Sequence, residues 1–338
     1  MSRSYIIAAM KIPPVHGANP ENLCRVFGLP VPENIADFST NANILTWPGY
    51  TLDVGRLARC YPDPECMRLR GIISEREGVP MSKIIFTNGI NEAIFILAGI
   101  FADGTAILQP CYTEYRRAFL KAHDIFTLDD AGKFSSVIIC SPANPTGKFI
   151  PDLPRIIVRN PRTVFIVDEA YIDFLRGYEP EKLCDFPNAV ILRSLTKIFP
   201  LSGARIGYVI AGENVIEAMK SRLPSWSVNA FAQELALKFL ADGGFLRRTR
   251  EFYRVNAPAF MAGFREAGFE VMDSDAHYFL VRVDDDVGTV RRLLARGMAV
   301  RHTRNFAGLG GRYVRVATRY PEENMRLIAA MKKSELRR

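Results

Sequence analysis

The chain reads as an α/β fold: a mostly parallel sheet flanked by helices, followed by a smaller α+β part. Two observations predict it. Between about residues 45 and 215, short, fully apolar runs that end on turn residues alternate with amphipathic stretches. That is the pattern of strands buried on both faces and joined by crossover helices. From about Glu213 the pattern changes to helical stretches rich in Ala, Leu and Arg, which run to about Gly268. Short strands are then expected at 270–272, 278–283 and 313–317, with helices over 287–297 and from Pro321 onward. A chain of 338 residues is long enough for two units. The expected division is an N-terminal arm over 1–44 that packs on the small domain and over the functional site, a large domain over 45–215, and a small domain over 216–338.

Four strand ends carry the chemistry. Ile84, Ile85 and Phe86 lead into Thr87-Asn88-Gly89-Ile90-Asn91, a strand, a glycine turn and a helix start. The free amides and dipole of a helix N-terminus bind phosphate. Val137 to Cys140 run into Ser141-Pro142-Ala143-Asn144-Pro145-Thr146-Gly147, a turn that fixes the backbone and presents the Asn144 amide. Val164 to Val167 end on Asp168, followed by Glu169-Ala170-Tyr171. Open α/β sheets place ligand groups at such carboxyl ends, and an aspartate there can pair with a protonated ring nitrogen or simply cap the next helix. The fourth is the run Ser194-Leu195-Thr196-Lys197 with Arg205 eight residues on, in a glycine-punctuated stretch. A lysine beside two hydroxyls and an arginine suits covalent attachment to the aldehyde of pyridoxal 5'-phosphate (PLP), the hydroxyls and the arginine reaching the phosphate.

In order and spacing these motifs resemble the fold-type I PLP enzymes of the aspartate aminotransferase superfamily, over nearly the whole chain. The resemblance implies a seven-stranded sheet in the large domain. It implies Lys197 as the lysine that bonds the cofactor, Asp168 on the pyridine nitrogen, and Asn144 and Tyr171 on the ring hydroxyl. Ser194, Thr196, Arg205 and the amides of Gly89, Ile90 and Asn91 would hold the phosphate. Tyr112 would stack on the ring, and Tyr61 would reach the phosphate of the partner's cofactor in a homodimer. His16-Gly17-Ala18-Asn19 with Asp37-Phe38-Ser39-Thr40-Asn41-Ala42-Asn43 is similar to the threonine-phosphate decarboxylase and histidinol-phosphate aminotransferase branch. There the resemblance implies that Arg315 binds the substrate α-carboxylate. It puts Arg301, His16, Gly17 and Asn41 around the distal phosphate and carboxylate. His277 stands where relatives usually carry asparagine.

The formal net charge of +8 favours anionic ligands. The basic residues are scattered without interleaved aromatics, which argues against nucleic acid. Six cysteines lie far apart with no metal-ligand spacing, so free thiols in a reducing, cytoplasmic setting are expected and no metal. No signal peptide and no membrane span are read.

The leading expectation is a PLP-dependent decarboxylase of an O-phospho amino acid such as threonine or serine phosphate. The alternative is an aminotransferase acting on histidinol phosphate or a similar amine. A non-catalytic PLP-binding protein is the third class. The choice between the first two turns on which bond at the substrate Cα stands perpendicular to the ring plane, and no motif fixes that rotation.

Overall fold

The structure, a computed structural model, describes residues 16–175 and 181–335. The first fifteen residues of the expected arm therefore lie outside the described residues. Thirteen strands are described. In chain order they are β1 (Ala36–Asp37), β2 (Ile84–Thr87), β3 (Thr105–Leu108), β4 (His123–Ile125), β5 (Ser136–Cys140), β6 (Val164–Asp168), β7 (Ala189–Ser194), β8 (Gly207–Ile210), β9 (Val271–Met272), β10 (Tyr278–Arg282), β11 (Met298–Ala299), β12 (Arg301–His302) and β13 (Tyr313–Ala317).

Seven of them form one sheet in the order β2-β8-β7-β6-β5-β3-β4. All pairs are parallel except those of β8, which runs antiparallel to both β2 and β7. β2, β5 and β8 are buried along their whole length, as their unbroken apolar runs require in a sheet covered on both faces. The reversal of β8 has a direct result. Its first residue, Gly207, pairs with both Thr87 and Ser194, so the start of β8 lies at the same edge as the carboxyl ends of its neighbours. A Cβ on Gly207 would sit 2.8 Å from the Arg193 carbonyl and 3.1 Å from the Ile90 nitrogen. Only glycine lets the helix Ile90–Ile100 dock its N-terminus on that edge.

β12-β13-β10-β9 form a second, fully antiparallel sheet. The helices Gly243–Glu266, Asp286–Leu294 and Pro321–Glu335 pack around it. β1, which falls within the expected arm, pairs in parallel with β11 as a separate two-stranded sheet, and the Ala317 N–H donates to the Phe38 carbonyl (2.9 Å), which ties the arm to β13. Two large apolar cores result, beside a small third cluster of Leu280, Phe306 and Leu309. The core of the large sheet draws in Val228, Phe239, Phe245 and Tyr253, well past residue 215. The other core gathers Leu23 and Phe38 with Phe260, Phe264, Val314 and Val316. Among the described residues no helix is long and apolar enough to cross a membrane.

Candidate active site

One cavity lies against the edge where β5, β6 and β7 end and β8 begins. It collects nearly every residue singled out by sequence. Asp168, Asn144, Tyr171, Ser194, Thr196, Lys197, Arg205, Ile90, Asn91 and Tyr112 line it from the large sheet, and His16, Gly17, Asn41, Arg301 and Arg315 from the other side. Tyr61 does not line it. That side chain is 81% exposed and stacks on Trp226 with ring centroids 4.6 Å apart.

At the deep end, Asp168 is buried at the last position of β6. Its Oδ1 accepts from the Ala170 N–H (2.8 Å), and its Oδ2 accepts a short bond from the Tyr115 hydroxyl. Burial pushes its carboxyl above the usual range, opposed by those two donors and by the nearby Lys197 charge. Lys197 follows β7 on a single helical turn, with Nζ 6.0 Å from the centre of the Tyr171 ring. Burial, then the charges of Arg205 and Arg315, lower its pKa from 10.5 to about 8. Its surroundings thus favour the uncharged, nucleophilic amine more than water does.

The end of the cavity expected to take the phosphate is made by backbone, two hydroxyls and Arg205. Gly89 has φ +73°, and a Cβ there would lie 2.6 Å from Arg205 Nη2. Arg205 itself has φ +59°, a conformation that side chains other than glycine rarely adopt. The Ser194 and Thr196 hydroxyls are 2.9 Å apart. One detail differs from expectation. The Gly89 N–H turns back to the Thr87 carbonyl (2.7 Å), which leaves the first-turn amides of Ile90 and Asn91 to face the cradle.

The opposite wall is built by register. Arg301 on β12 pairs directly with Arg315 on β13, so both side chains leave the same face of the sheet. Both are buried. Arg315 donates from Nη1 to Asn144 Oδ1 (2.5 Å) and from Nη2 to the Ser39 carbonyl (2.6 Å). Its Nε is buried with no hydrogen-bond partner among the described residues. Arg301 donates to Asn305 Oδ1 (2.7 Å) and lies 5.1 Å from the centre of the Phe306 ring. Burial lowers the pKa of both, and the charge of Arg315 adds to the effect on Arg301. Guanidinium groups stay protonated all the same. Among the described residues that line the cavity, Lys197, Arg205, Arg301 and Arg315 thus stand with one carboxylate, Asp168, while the charges of Asp37 and Asp286 act on Arg315 and Arg301 from outside the lining.

Sequence reasoning missed four supporting residues. Tyr115 holds Asp168, although it stands three positions from the tyrosine that was singled out. Asn43 donates to the Ile198 carbonyl (2.8 Å) and Thr249 Oγ1 (3.0 Å), while its N–H donates to the Lys197 carbonyl (2.9 Å). Glu114 is buried and bonds both His16 and Arg117. His277, the departure from the usual asparagine, is fully buried against Phe174 and lies 3.0 Å from the Asn41 carbonyl through Nε2. It braces the irregular segment that places Asn41, whose Nδ2 is 3.4 Å from the Tyr171 hydroxyl. Most of these contacts join segments about 100 or more residues apart, and Tyr115 reaches Asp168 across 53, so no local pattern announces them.

Residues 65–331 match the aminotransferase class I and II family. The chain belongs to that family. It is 31% identical to threonine-phosphate decarboxylase of Salmonella typhimurium over 94% of this chain and 95% of that one. It is 30% identical to histidinol-phosphate aminotransferase 2 of Ralstonia nicotianae, over 94% and 93% of the two chains. The solved L-threonine-O-3-phosphate decarboxylase of Porphyromonas gingivalis superposes with a TM-score of 0.79 at 25% identity, covering 90% of this chain and all of that one. Like its family this chain is a PLP-dependent enzyme, a decarboxylase or an aminotransferase. The residues present fit that cofactor by their position and their chemistry. They offer an amine with a lowered pKa, a buried carboxylate, and an anion cradle whose space a Cβ at Gly89 would fill.

Proposed function

We propose that this chain decarboxylates an O-phospho amino acid of the threonine- or serine-phosphate type. The observation that carries this reading is the pair Arg301 and Arg315, two buried guanidiniums in cross-strand register on the wall facing the cofactor cradle. Buried cations need anions. The cofactor phosphate would use Arg205, which leaves this pair for a substrate with two anionic groups, a carboxylate and a phosphate. A guanidinium grips either one through two parallel hydrogen bonds.

The roles follow from position. Bound PLP supplies an aldehyde for the substrate amine and an electron-poor ring that takes up the electron pair from the bond broken at Cα. Lys197 would hold the cofactor, then carry the proton to or from Cα at Nζ. Asp168, kept in place by Tyr115 and the Ala170 amide, would hold the proton on the ring nitrogen. Asn144 and Tyr171 would contact the ring hydroxyl, and Tyr112 would cover the ring. Ser194, Thr196, Arg205 and the Ile90 and Asn91 amides would bind the phosphate. Arg315, anchored between Asn144 and the Ser39 carbonyl, would bind the substrate carboxylate and so set its angle to the ring plane. Arg301 and His16 would meet the substrate phosphate, with Gly17 and Asn41 closing the same end. Tyr61, far from this cavity in its own chain, would complete the cradle of a second copy in a homodimer. The six unpaired cysteines agree with a reducing cytoplasm.

A second reading, an aminotransferase for histidinol phosphate or a related amine, is supported by the relative from Ralstonia nicotianae. Purified holoenzyme given O-phosphothreonine, O-phosphoserine and histidinol phosphate separates the two. Release of CO2 without a keto acid supports the decarboxylase. A strict need for 2-oxoglutarate supports the aminotransferase and overturns the first reading.

A further inference from the structure

Glu114 is a carboxylate that is only 2% exposed, on the short helix Thr113–Ala118 at the mouth of the cavity. Arg117, one turn on, donates to both of its oxygens (2.9 and 2.7 Å). That pair alone meets the need of a buried carboxylate for a cationic partner. A third group nevertheless arrives from 98 residues away: His16 Nε2 lies 2.8 Å from Glu114 Oε1. The imidazole lines the same cavity as Arg301 and Arg315, with its ring centroid 5.9 Å from that of Tyr112. The His16 side chain remains 47% exposed, so burial does not hold it there.

The neighbouring residues bring it to this place. The Ala18 N–H donates to Ser39 Oγ (2.8 Å), and a Cβ on Gly17 would come within 2.7 Å of the Ser39 carbonyl. That carbonyl is the one that anchors Arg315. Glu114 then fixes the last degree of freedom, the direction of the ring. With Nε2–H donating to the carboxylate, Nδ1 is the nitrogen left, and it donates to a substrate oxygen when the ring carries both protons. A second partner on one ring nitrogen is how proteins orient a functional histidine.

We infer that Glu114 is a positioning residue that aims His16 at the anionic end of the substrate, so that the His16–Glu114 pair helps to set substrate specificity. The inference rests on the proposed phospho-substrate reading. Glu114 touches no reacting atom in this scheme and acts through His16 alone.

The test uses holoenzyme, its cofactor in place, and the variants Glu114→Gln, His16→Asn, the double variant and Arg117→Ala. Glu114→Gln keeps the size and one acceptor, so a fold defect is read separately from thermal unfolding of each variant. The expected result is a KM for O-phosphothreonine raised about tenfold in each of the two single variants. kcat should stay within about twofold, and the double variant should be no worse than either single one. Arg117→Ala should keep the wild-type KM. Holoenzyme should also show a thermal upshift with inorganic phosphate that both single variants lose. An unchanged KM in Glu114→Gln beside a raised one in His16→Asn, or effects that add, overturns the inference. If wild-type enzyme turns over no phospho amino acid, the functional reading fails. The phosphate upshift then decides the pair: retained in Glu114→Gln, it overturns the inference, and lost in both variants, it supports it.

Discussion

The two walls of the cavity are built by different means. The wall proposed to hold the cofactor is made of consecutive strand ends of one sheet, and its groups are held by backbone: Asp168 ends β6, Ser194 ends β7, and Gly207 opens β8 between them and Thr87. The wall proposed to bind substrate is assembled from three distant pieces of chain, residues 16–18, 39–41 and 301–315, joined by side-chain hydrogen bonds such as Arg315 to the Ser39 carbonyl and the Ala18 N–H to Ser39 Oγ. A wall held by a sheet changes little when one side chain changes. A wall held by side-chain bonds can be retuned residue by residue. Reaction chemistry should therefore fail abruptly on the first wall, and substrate preference should drift on the second.

The largest effect belongs to the cofactor wall. Asp168→Asn keeps shape and removes the charge, so kcat should fall about 100-fold or more while cofactor still binds. Steady-state rates and the cofactor content of the same preparation check this. A fall under about threefold would mean that Asp168 only caps its turn. On the substrate wall Arg315→Lys should lower kcat/KM about tenfold, or about 1.4 kcal/mol, because an ammonium cannot span both Asn144 and Ser39 while gripping a carboxylate. Equal kcat/KM in the two enzymes would remove Arg315 from the site. Gly17→Ala should act more weakly. Its Cβ must displace the Ser39 carbonyl that anchors Arg315, so a rise in KM of a few fold with kcat retained is expected. A fall in kcat with KM unchanged would break the assignment of this segment to substrate binding.

The smallest effect tests whether the walls communicate. Lys197 sits between them, and its pKa is lowered to about 8 by burial and then by Arg205 and Arg315. The sign is that of a cation disfavoured by its surroundings: the neutral amine gains population as pH rises through about 8 rather than 10.5. Labelling of Lys197 in cofactor-free protein with an amine reagent, followed by peptide mass spectrometry, should show that midpoint. Arg315→Met should move it upward. A midpoint unmoved by Arg315→Met would show that the substrate wall does not act on the lysine.

The same contrast explains what the sequence disclosed. Lys197, Asp168, Asn144 and the Gly89 turn are each legible because a strand end followed by a turn residue is a local pattern, and the sheet brings such ends together automatically. Strands at 278–282 and 313–317 and the helix from Pro321 were legible for the same reason, through apolar periodicity. Arg301 and Arg315 were visible as arginines, but their pairing is a fact of antiparallel register between β12 and β13, which a single chain does not print. Tyr115, Asn43, Glu114 and His277 were missed because each works across a long loop closure. The use of the Gly89 N–H within its own turn, rather than for the cradle, depends on a φ of +73° that glycine permits but does not require.

The reversed strand β8 also acts as a gauge. Because it lies between β2 and β7, the glycine turn after Thr87 and the hydroxyl pair at Ser194 and Thr196 stand two interstrand spacings apart, about 10 Å. That width is set by hydrogen bonds between main chains, and along these strands Gly207 is the position where an added Cβ would press on the main chain of β7. The size of anion this end accepts is thus written into the topology itself, and new substrates can be admitted only from the other side.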